Sequence, residues 1–249
     1  MTETFSSPLI RKLKHYLDMN EAELNVIRGL NSRLMTAPAD KELIREGDRP
    51  TDCNLLLEGV VCRFNTLTDG SRQIVAFHFP GDIFDAQSFL LQRMDHSILT
   101  LTRSRIAMIS HDTLRRVFEE FPRIGLAVWK DSLIDASIFR QWVTNIGRRD
   151  ALARTAHLLC EVYARLASVG LVRENAVVWP ITQVELADAL GISAVHVNRT
   201  LQELRKTGVA SIERQLLVIH DWSRLKAIAD FDPTYLHLGE RSENGAGAF

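Results

Sequence analysis

The sequence predicts an α+β chain with three parts: an N-terminal β sandwich or barrel, a long connecting helix and a C-terminal winged helix-turn-helix. Three observations carry this. Between residues 35 and 109, glycine turn signals recur every 11 or 12 residues, at Gly47, Gly59, Gly70 and Gly81, the spacing of an all-β unit. A helical apolar pattern starts at Pro122. Residues 181–206, ITQVELADALGISAVHVNRTLQELRK, carry the caps and core spacing of two short helices around a tight turn.

In chain order, Leu9, Leu13, Leu17, Leu24, Ile27 and Leu30 give residues 6–30 a helical pattern. Asn54–Leu57 and Val60–Arg63 flank Glu58-Gly59 closely and read as a hairpin. Arg72–Phe79 is a second strand, and 98–110 reads as one long or broken strand. Ser110 is an N-cap for a helix through Leu114, Val117 and Phe118. The helix opened by Pro122 carries Ile124, Val128, Ile138, Trp142 and Ile146, interrupted by Asp131, Ser132 and Asp135. That stripe fits packing on its own domain. It also fits a seam with a second copy, which the large apolar side chains on more than one face favour. Ala151, Leu152, Thr155, Leu158, Leu159 and Val162 mark the inner face of a helix over 148–170, followed by a loop at 167–175. The polar tail 239–249 is expected to be disordered. The resulting boundaries are 1–121, 122–147, 148–238 and 239–249.

Thr182 and Glu185 form a Thr-x-x-Glu capping box, so a helix begins at Gln183. Gly191 supplies the positive φ of the turn, and Ser193 caps the second helix. Val197, Leu201 and Leu204 must then face the core. The opposite face presents Val195, Asn198, Arg199 and Gln202, with His196 at its edge. That face suits a DNA major groove: Arg199 can donate twice to guanine, Asn198 can pair with adenine or phosphate, and Val195 can touch a thymine methyl. Thr182, Gln183, Ser193 and Gln202 are phosphate or edge candidates. After Gly208, strands at 209–213 and 216–220 form a wing around Arg214-Gln215, which brings Arg214 to the DNA backbone.

Composition excludes several classes. Of 249 residues, 46% are apolar and 24% charged, which is ordinary for a globular protein rather than a disordered chain. No run approaches the length of a membrane helix, and the N-terminus lacks an apolar signal core, so no membrane partner and a cytoplasmic location are expected. The net charge is −1, and 30 basic against 31 acidic residues split evenly about Gly147. Nucleic-acid binding must therefore rest on local charge placement. Three cysteines without a CxxC pair exclude a disulfide scaffold and argue against zinc ribbon and iron–sulfur sites. Cys53 and Cys62, placed as diagonal neighbours on one hairpin face, read as buried apolar residues, with a redox pair as the alternative. His78, His96 and His111 lack the His-x-His pairing of a metal jelly roll. Arg148, Arg149 and Arg154 read as a solvated helix start partnered by Asp150, with DNA phosphate contact as the alternative; Arg103 and Arg105 fit the lining of a ligand pocket and a solvated strand equally. No nucleophile triad, P-loop or carboxylate pair is present, so neither enzyme activity, cofactor nor metal is expected.

With these motifs in view, residues 6–238 resemble the Crp–Fnr family of bacterial transcription regulators. The glycine-punctuated β region, Pro80-Gly81-Asp82, the linker helix and the winged helix carry the likeness. The stretch VHVNRTLQELRKTG looks like the rhizobial-type branch. The resemblance implies a jelly roll of the cyclic-nucleotide-binding type, and a homodimer joined through the long helix. It also implies an inverted-repeat operator with half-sites about 34 Å apart, and RNA polymerase as a partner if the protein activates. The family's Glu-x-x-Ser-Arg recognition motif becomes Val195-x-x-Asn198-Arg199. Its ribose-binding Glu becomes Ala86, its phosphate-binding Arg becomes His96, and Asp85 would set negative charge where a phosphate should sit. Cyclic AMP is therefore not the expected effector, and the small-molecule effector is unknown. The alternative reading is a sensing module, of a small molecule or redox state, whose winged helix docks a protein. A third is a metal-dependent jelly-roll enzyme.

Overall fold

A computed structural model describes residues 7–30 and 32–238; the tail 239–249 lies outside the described residues. Two helices, α1 (Ser7–Leu13) and α2 (Glu21–Arg28), precede strands β1 (Arg33–Ala37), β2 (Glu42–Ile44), β3 (Asp52–Glu58), β4 (Val61–Thr66) and β5 (Arg72–His78). A short helix α3 (Ser88–Leu91) leads to β6 (Ser97–Thr100) and β7 (Ser104–Ser110). These strands form two antiparallel sheets, ordered β1-β7-β3 and β2-β6-β4-β5. Alternation along β3 sends Leu56 to an inner cluster with Val61, Phe84, Ile98 and Ile106. Leu55 and Leu57 turn the other way, into the main core. The free edge of β3 is covered by the Gly81–Phe84 segment, through Gly81 N–H to the Leu56 carbonyl, Leu56 N–H to the Asp82 carbonyl and Phe84 N–H to the Asn54 carbonyl. Gly81 (φ +102°) is required here, since a Cβ would sit 2.9 Å from the Pro8 carbonyl oxygen of α1.

Two expectations are corrected. The residues around Glu58-Gly59 are not a hairpin: β3 and β4 belong to different sheets, and Gly59 turns the chain from one to the other. A crossing between sheets and a hairpin share the same pattern of apolar run, glycine, apolar run. The true hairpin is β4–β5, closed at Asp69-Gly70. Cys53 and Cys62 are therefore not diagonal neighbours; Cys53 pairs with Ile109, while Cys62 lies between Leu99 and Phe77. The 98–110 segment is broken, with β6 and β7 in opposite sheets.

Helix α4 (His111–Glu120) is capped by Ser110, whose hydroxyl accepts from Thr113 N–H. Helix α5 (Pro122–Arg148) then runs for 27 residues, with proline at its first turn. Its named stripe faces inward in the main: Ile124, Ile138 and Trp142 are buried in the chain's own core, Val128 is half-buried, and only Ile146 is exposed. Buried side chains cannot meet a second copy, so the predicted seam Ile124–Ile138–Trp142 is corrected. The solvent face is instead apolar at Leu126, Trp129, Leu133, Phe139, Val143 and Ile146. Asp131 and Asp135 do not interrupt an exposed surface; they pair with Lys12 at 2.7 Å and Arg63 at 2.8 Å.

Asp150 caps helix α6 (Ala151–Ser168) through Ala153 N–H. Strand β8 (Ala176–Val178), helices α7 (Gln183–Leu190) and α8 (Ala194–Lys206), strands β9 (Ala210–Glu213) and β10 (Leu216–Ile219), helix α9 (Trp222–Ala229) and a 3-10 turn (Pro233–Leu236) complete the chain. The wing is a three-stranded antiparallel sheet ordered β8-β10-β9. Arg149 and Arg154 prove to be hinge clamps. Arg149 reaches Asn145 and Asp230, and Arg154 donates to the carbonyls of Ile146, Arg149 and Leu190. The winged domain also docks on the β-roll, where Arg72 grips Asp188 at 2.7 Å and Gln73 donates to the Ala189 carbonyl.

Candidate nucleic-acid interface

The reading surface is built by three local devices. Thr182 Oγ1 accepts from Glu185 N–H, while Glu185 Oε2 accepts from Thr182 N–H at 2.6 Å, closing the capping box. Gly191 ends α7 at φ +63°. Ser193 Oγ accepts from His196 N–H and starts α8. Val197 and Leu204 are buried, Leu201 is half-buried, and Thr200 meets Thr155 of α6 at 3.2 Å. These anchors fix the rotation of α8, so its outer face is determined.

On that face Val195, His196, Arg199 and Gln202 are exposed and Asn198 is half-buried. Among the described residues Arg199 has no hydrogen bond or ion pair. Among those residues its guanidinium therefore keeps its donors unspent. Asn198 Nδ2 donates to Gln183 Oε1 at 3.1 Å, and Gln202 Nε2 donates to Asn198 Oδ1 at 2.8 Å. Three predicted residues thus form one row across α7 and α8. Thr182 and Ser193 spend an oxygen lone pair on capping and keep their O–H free. Arg214 stands on the wing tip, where Arg214 (φ +50°) and Gln215 (φ +61°) form a two-residue turn between β9 and β10. Two positive φ values match the twist of a hairpin turn, here without glycine.

A second candidate site is a cavity of about 390 Å³ between the β-roll, α5 and the winged domain. Arg63, His78, Gln87, His96, Asp131 and Asp135 are among its walls. At its inner end Asp82 binds Lys12 at 2.6 Å and Arg165 at 3.0 Å, joining α1 and α6 to the β-roll. None of Lys12, Asp82 or Arg165 was expected as a site residue. Their partners lie 70 and 83 positions apart, beyond any local signal. Burial disfavours ionisation of Asp82, but Lys12 and Arg165 outweigh it and hold the carboxyl well below its usual range. Among the described residues no His/Cys/Asp/Glu group is arranged for a metal ion. No helix among them is long and apolar enough to cross a membrane. Burial pushes the Cys53 and Cys62 thiols up to about 12.

Comparison with known proteins decides the family. The cyclic nucleotide-binding domain family matches residues 34–121, and the Crp-like helix-turn-helix domain family matches 153–228. The nitrogen fixation regulation protein FixK of Bradyrhizobium diazoefficiens is 26% identical over 211 residues, covering 85% of this chain and 87% of that protein. A probable transcriptional activator of Rhizobium leguminosarum bv. viciae is 28% identical over 186 residues, covering 74% and 76%. The structure of FixK2 from Bradyrhizobium japonicum shares the fold with a TM-score of 0.72 at 21% identity, covering 80% of this chain and 98% of that one. The chain belongs to the Crp–Fnr family of transcription regulators. That family comprises regulators, not enzymes.

His96 is clamped between Asp95 at 2.6 Å and Gln87 at 3.1 Å, and burial pushes it down to about 4. It is therefore neutral near pH 7 and offers no cation to a phosphate. Asp85 departs from its expected place: it is fully buried and accepts from Asn54 N–H and Nδ2, both at 2.6 Å, rather than facing the cavity. The carboxylates beside the cavity are instead Asp82, Asp95, Asp131 and Asp135.

Burial pushes the Asp85 carboxyl up to about 7, against the opposing Asn54 hydrogen bonds. Between the unfolded value near 4 and about 7, the folded chain holds a proton that the unfolded chain has lost. Stability from this group therefore falls as pH rises through that window, by at most about 1.4 kcal/mol per unit. Asp85→Asn is expected to remove this slope. Its amide can be accommodated because Asn54 Oδ1, now without a partner, can accept from it once the Asn54 amide turns over. Denaturant midpoints at pH 5, 6 and 7 would test this. Parallel profiles for wild type and variant would refute it.

Proposed function

We propose that this Crp–Fnr regulator acts as a homodimer that reads an inverted-repeat DNA operator, one winged helix-turn-helix per half-site. The observation that carries the reading is Arg199: a guanidinium exposed at the centre of a helix whose other face is locked into the core, with no hydrogen bond or ion pair among the described residues. Arg199 is the main base reader, by two donated hydrogen bonds to guanine. Val195 and His196 are secondary contacts. Thr182, Gln183, Ser193 and Arg214 reach phosphate or the groove edge. Double-stranded DNA as the partner implies a cytoplasmic location.

The second copy docks on the exposed α5 face, Leu126–Trp129–Leu133–Phe139–Val143–Ile146. Within each triad, Leu126–Trp129–Leu133 and Phe139–Val143–Ile146, spacings of three, four and seven residues align the side chains, and the six-residue step between the triads keeps both on the solvent half of the helix. The family geometry then spaces the half-sites by about 34 Å. The effector is not a cyclic nucleotide in this reading; the Ala86 and His96 that the resemblance aligns with the ribose and phosphate contacts support it, since His96 is held neutral by burial. RNA polymerase is a partner if the protein activates.

Arg199→Ala is expected to weaken binding to the selected operator by roughly 1–3 kcal/mol and to relax the preference at one base pair. Binding to random duplex should change far less. Equal losses on both, measured by fluorescence anisotropy at several salt concentrations, would remove Arg199 as a base reader and leave it a phosphate contact.

A further inference from the structure

Asn198 stands where the family's recognition motif has serine or glycine, side chains too short to bridge neighbouring helix turns. Here the longer amide does bridge. Gln202 Nε2 donates to Asn198 Oδ1 at 2.8 Å, and Asn198 Nδ2 donates to Gln183 Oε1 at 3.1 Å. Both bonds run in one direction, from α8 toward the start of α7. Both heteroatoms of Asn198 are thereby engaged within the protein. Asn198 keeps one N–H and one lone pair, but both its heteroatoms are tied to neighbours; the larger unspent capacity lies at the ends of the row: two N–H donors on Gln183, and on Gln202 a wholly unshared Oε1 with one remaining N–H.

We infer that Asn198 is a positioning residue, not a base reader, and that it fixes Gln202 as an adenine reader beside the guanine-reading Arg199. This rests on the DNA reading proposed above. A primary amide with a free acceptor and a free donor matches adenine N6 and N7 in the major groove. Gln202 lies three residues after Arg199, on the next turn of the same exposed face. A free glutamine loses much rotamer freedom on binding, whereas one already tied to Asn198 loses less. At the other end of the row Gln183 is the first residue of α7. Its two donors suit phosphate oxygens, where the first helix of the motif crosses the backbone. Residual capacity and position thus assign different tasks to three chemically similar amides.

The test is a double-mutant cycle of Asn198→Ser and Gln202→Ala in the full-length protein, with Arg199→Ala as reference. Each is measured on the inverted repeat recovered by selection from random duplex, and on versions with each half-site base pair replaced. Gln202→Ala is expected to lose roughly tenfold on the selected site and to abolish the preference for one adenine neighbouring the guanine. Asn198→Ser should relax that same adenine, leave the guanine preference intact, and add little in the Gln202→Ala background. If Asn198→Ser instead changes preference at a base pair of its own, or its loss adds fully to that of Gln202→Ala, the assignment is overturned. A wild-type protein that binds selected and random duplex equally would overturn the DNA reading itself, and this assignment with it.

Discussion

Asp82→Ala should be among the most damaging single substitutions in this protein, costing roughly 3–5 kcal/mol. Asp82 is buried and serves four groups. It pairs with Lys12 of α1 and Arg165 of α6, accepts from Phe79 N–H at 2.9 Å, and lies 3.6 Å from His78 Nδ1. Removing it leaves Arg165 with only the longer 3.4 Å pairing to Glu161, and Lys12 with Asp131 alone. Two cations would then be under-compensated in the interior, while the Phe79 donor loses its partner. Against a typical total stability of about 5–15 kcal/mol, the loss should lower the melting temperature by roughly 10 °C. The pH sign is opposite to that of Asp85. A carboxyl held low contributes stability in full above the unfolded value near 4, and that stability is lost as pH falls through its folded value. Wild-type protein should therefore lose its advantage over Asp82→Ala as acid is added. A melting temperature within about 1 °C of wild type at neutral pH would show that the hub does not hold the domains together.

Leu133→Glu is expected to split the proposed dimer. Leu133 is 55% exposed within the chain and lies midway along the apolar stripe of α5. A carboxylate there must be desolvated whenever the proposed seam on this face forms. Sedimentation velocity should show a monomer with an unchanged far-ultraviolet circular dichroism spectrum. Operator affinity should fall by about 10²–10⁴-fold, because two linked half-site contacts become independent ones. Ile138→Glu is the informative contrast. Ile138 belongs to the stripe first expected at the seam, yet it is buried in the chain's own core. Its substitution should unfold the protein rather than dissociate it. Reversal of these two outcomes would return the seam to the inward stripe.

The contrast shows where sequence is informative. The recognition unit is legible because its signals are local. Thr182 and Glu185 are three residues apart, Gly191 carries the turn, and Ser193 caps the next helix. Pro122 likewise marks the start of α5. The face that α5 turns inward is not legible, because both faces are apolar. The two aspartates that would mark a solvent side are neutralised from far away, by Lys12 and Arg63. Gly59 is ambiguous for a different reason: turning between sheets and turning within one demand the same residue types. From sequence Asn198 reads as a base or phosphate contact, because its partners, fifteen residues earlier and four later, come together only once Gly191 has turned the chain.

On the proposed reading, two copies of this recognition surface bind one symmetric operator. The decisive experiment is selection of binding sites by the purified full-length protein from a random duplex library. The expected result is an inverted repeat with half-sites about one helical turn apart, each holding a guanine whose preference disappears in Arg199→Ala. Enrichment of a single unpaired half-site would contradict the dimer, and a folded protein that enriches no sequence, with or without added effectors, would contradict the DNA reading.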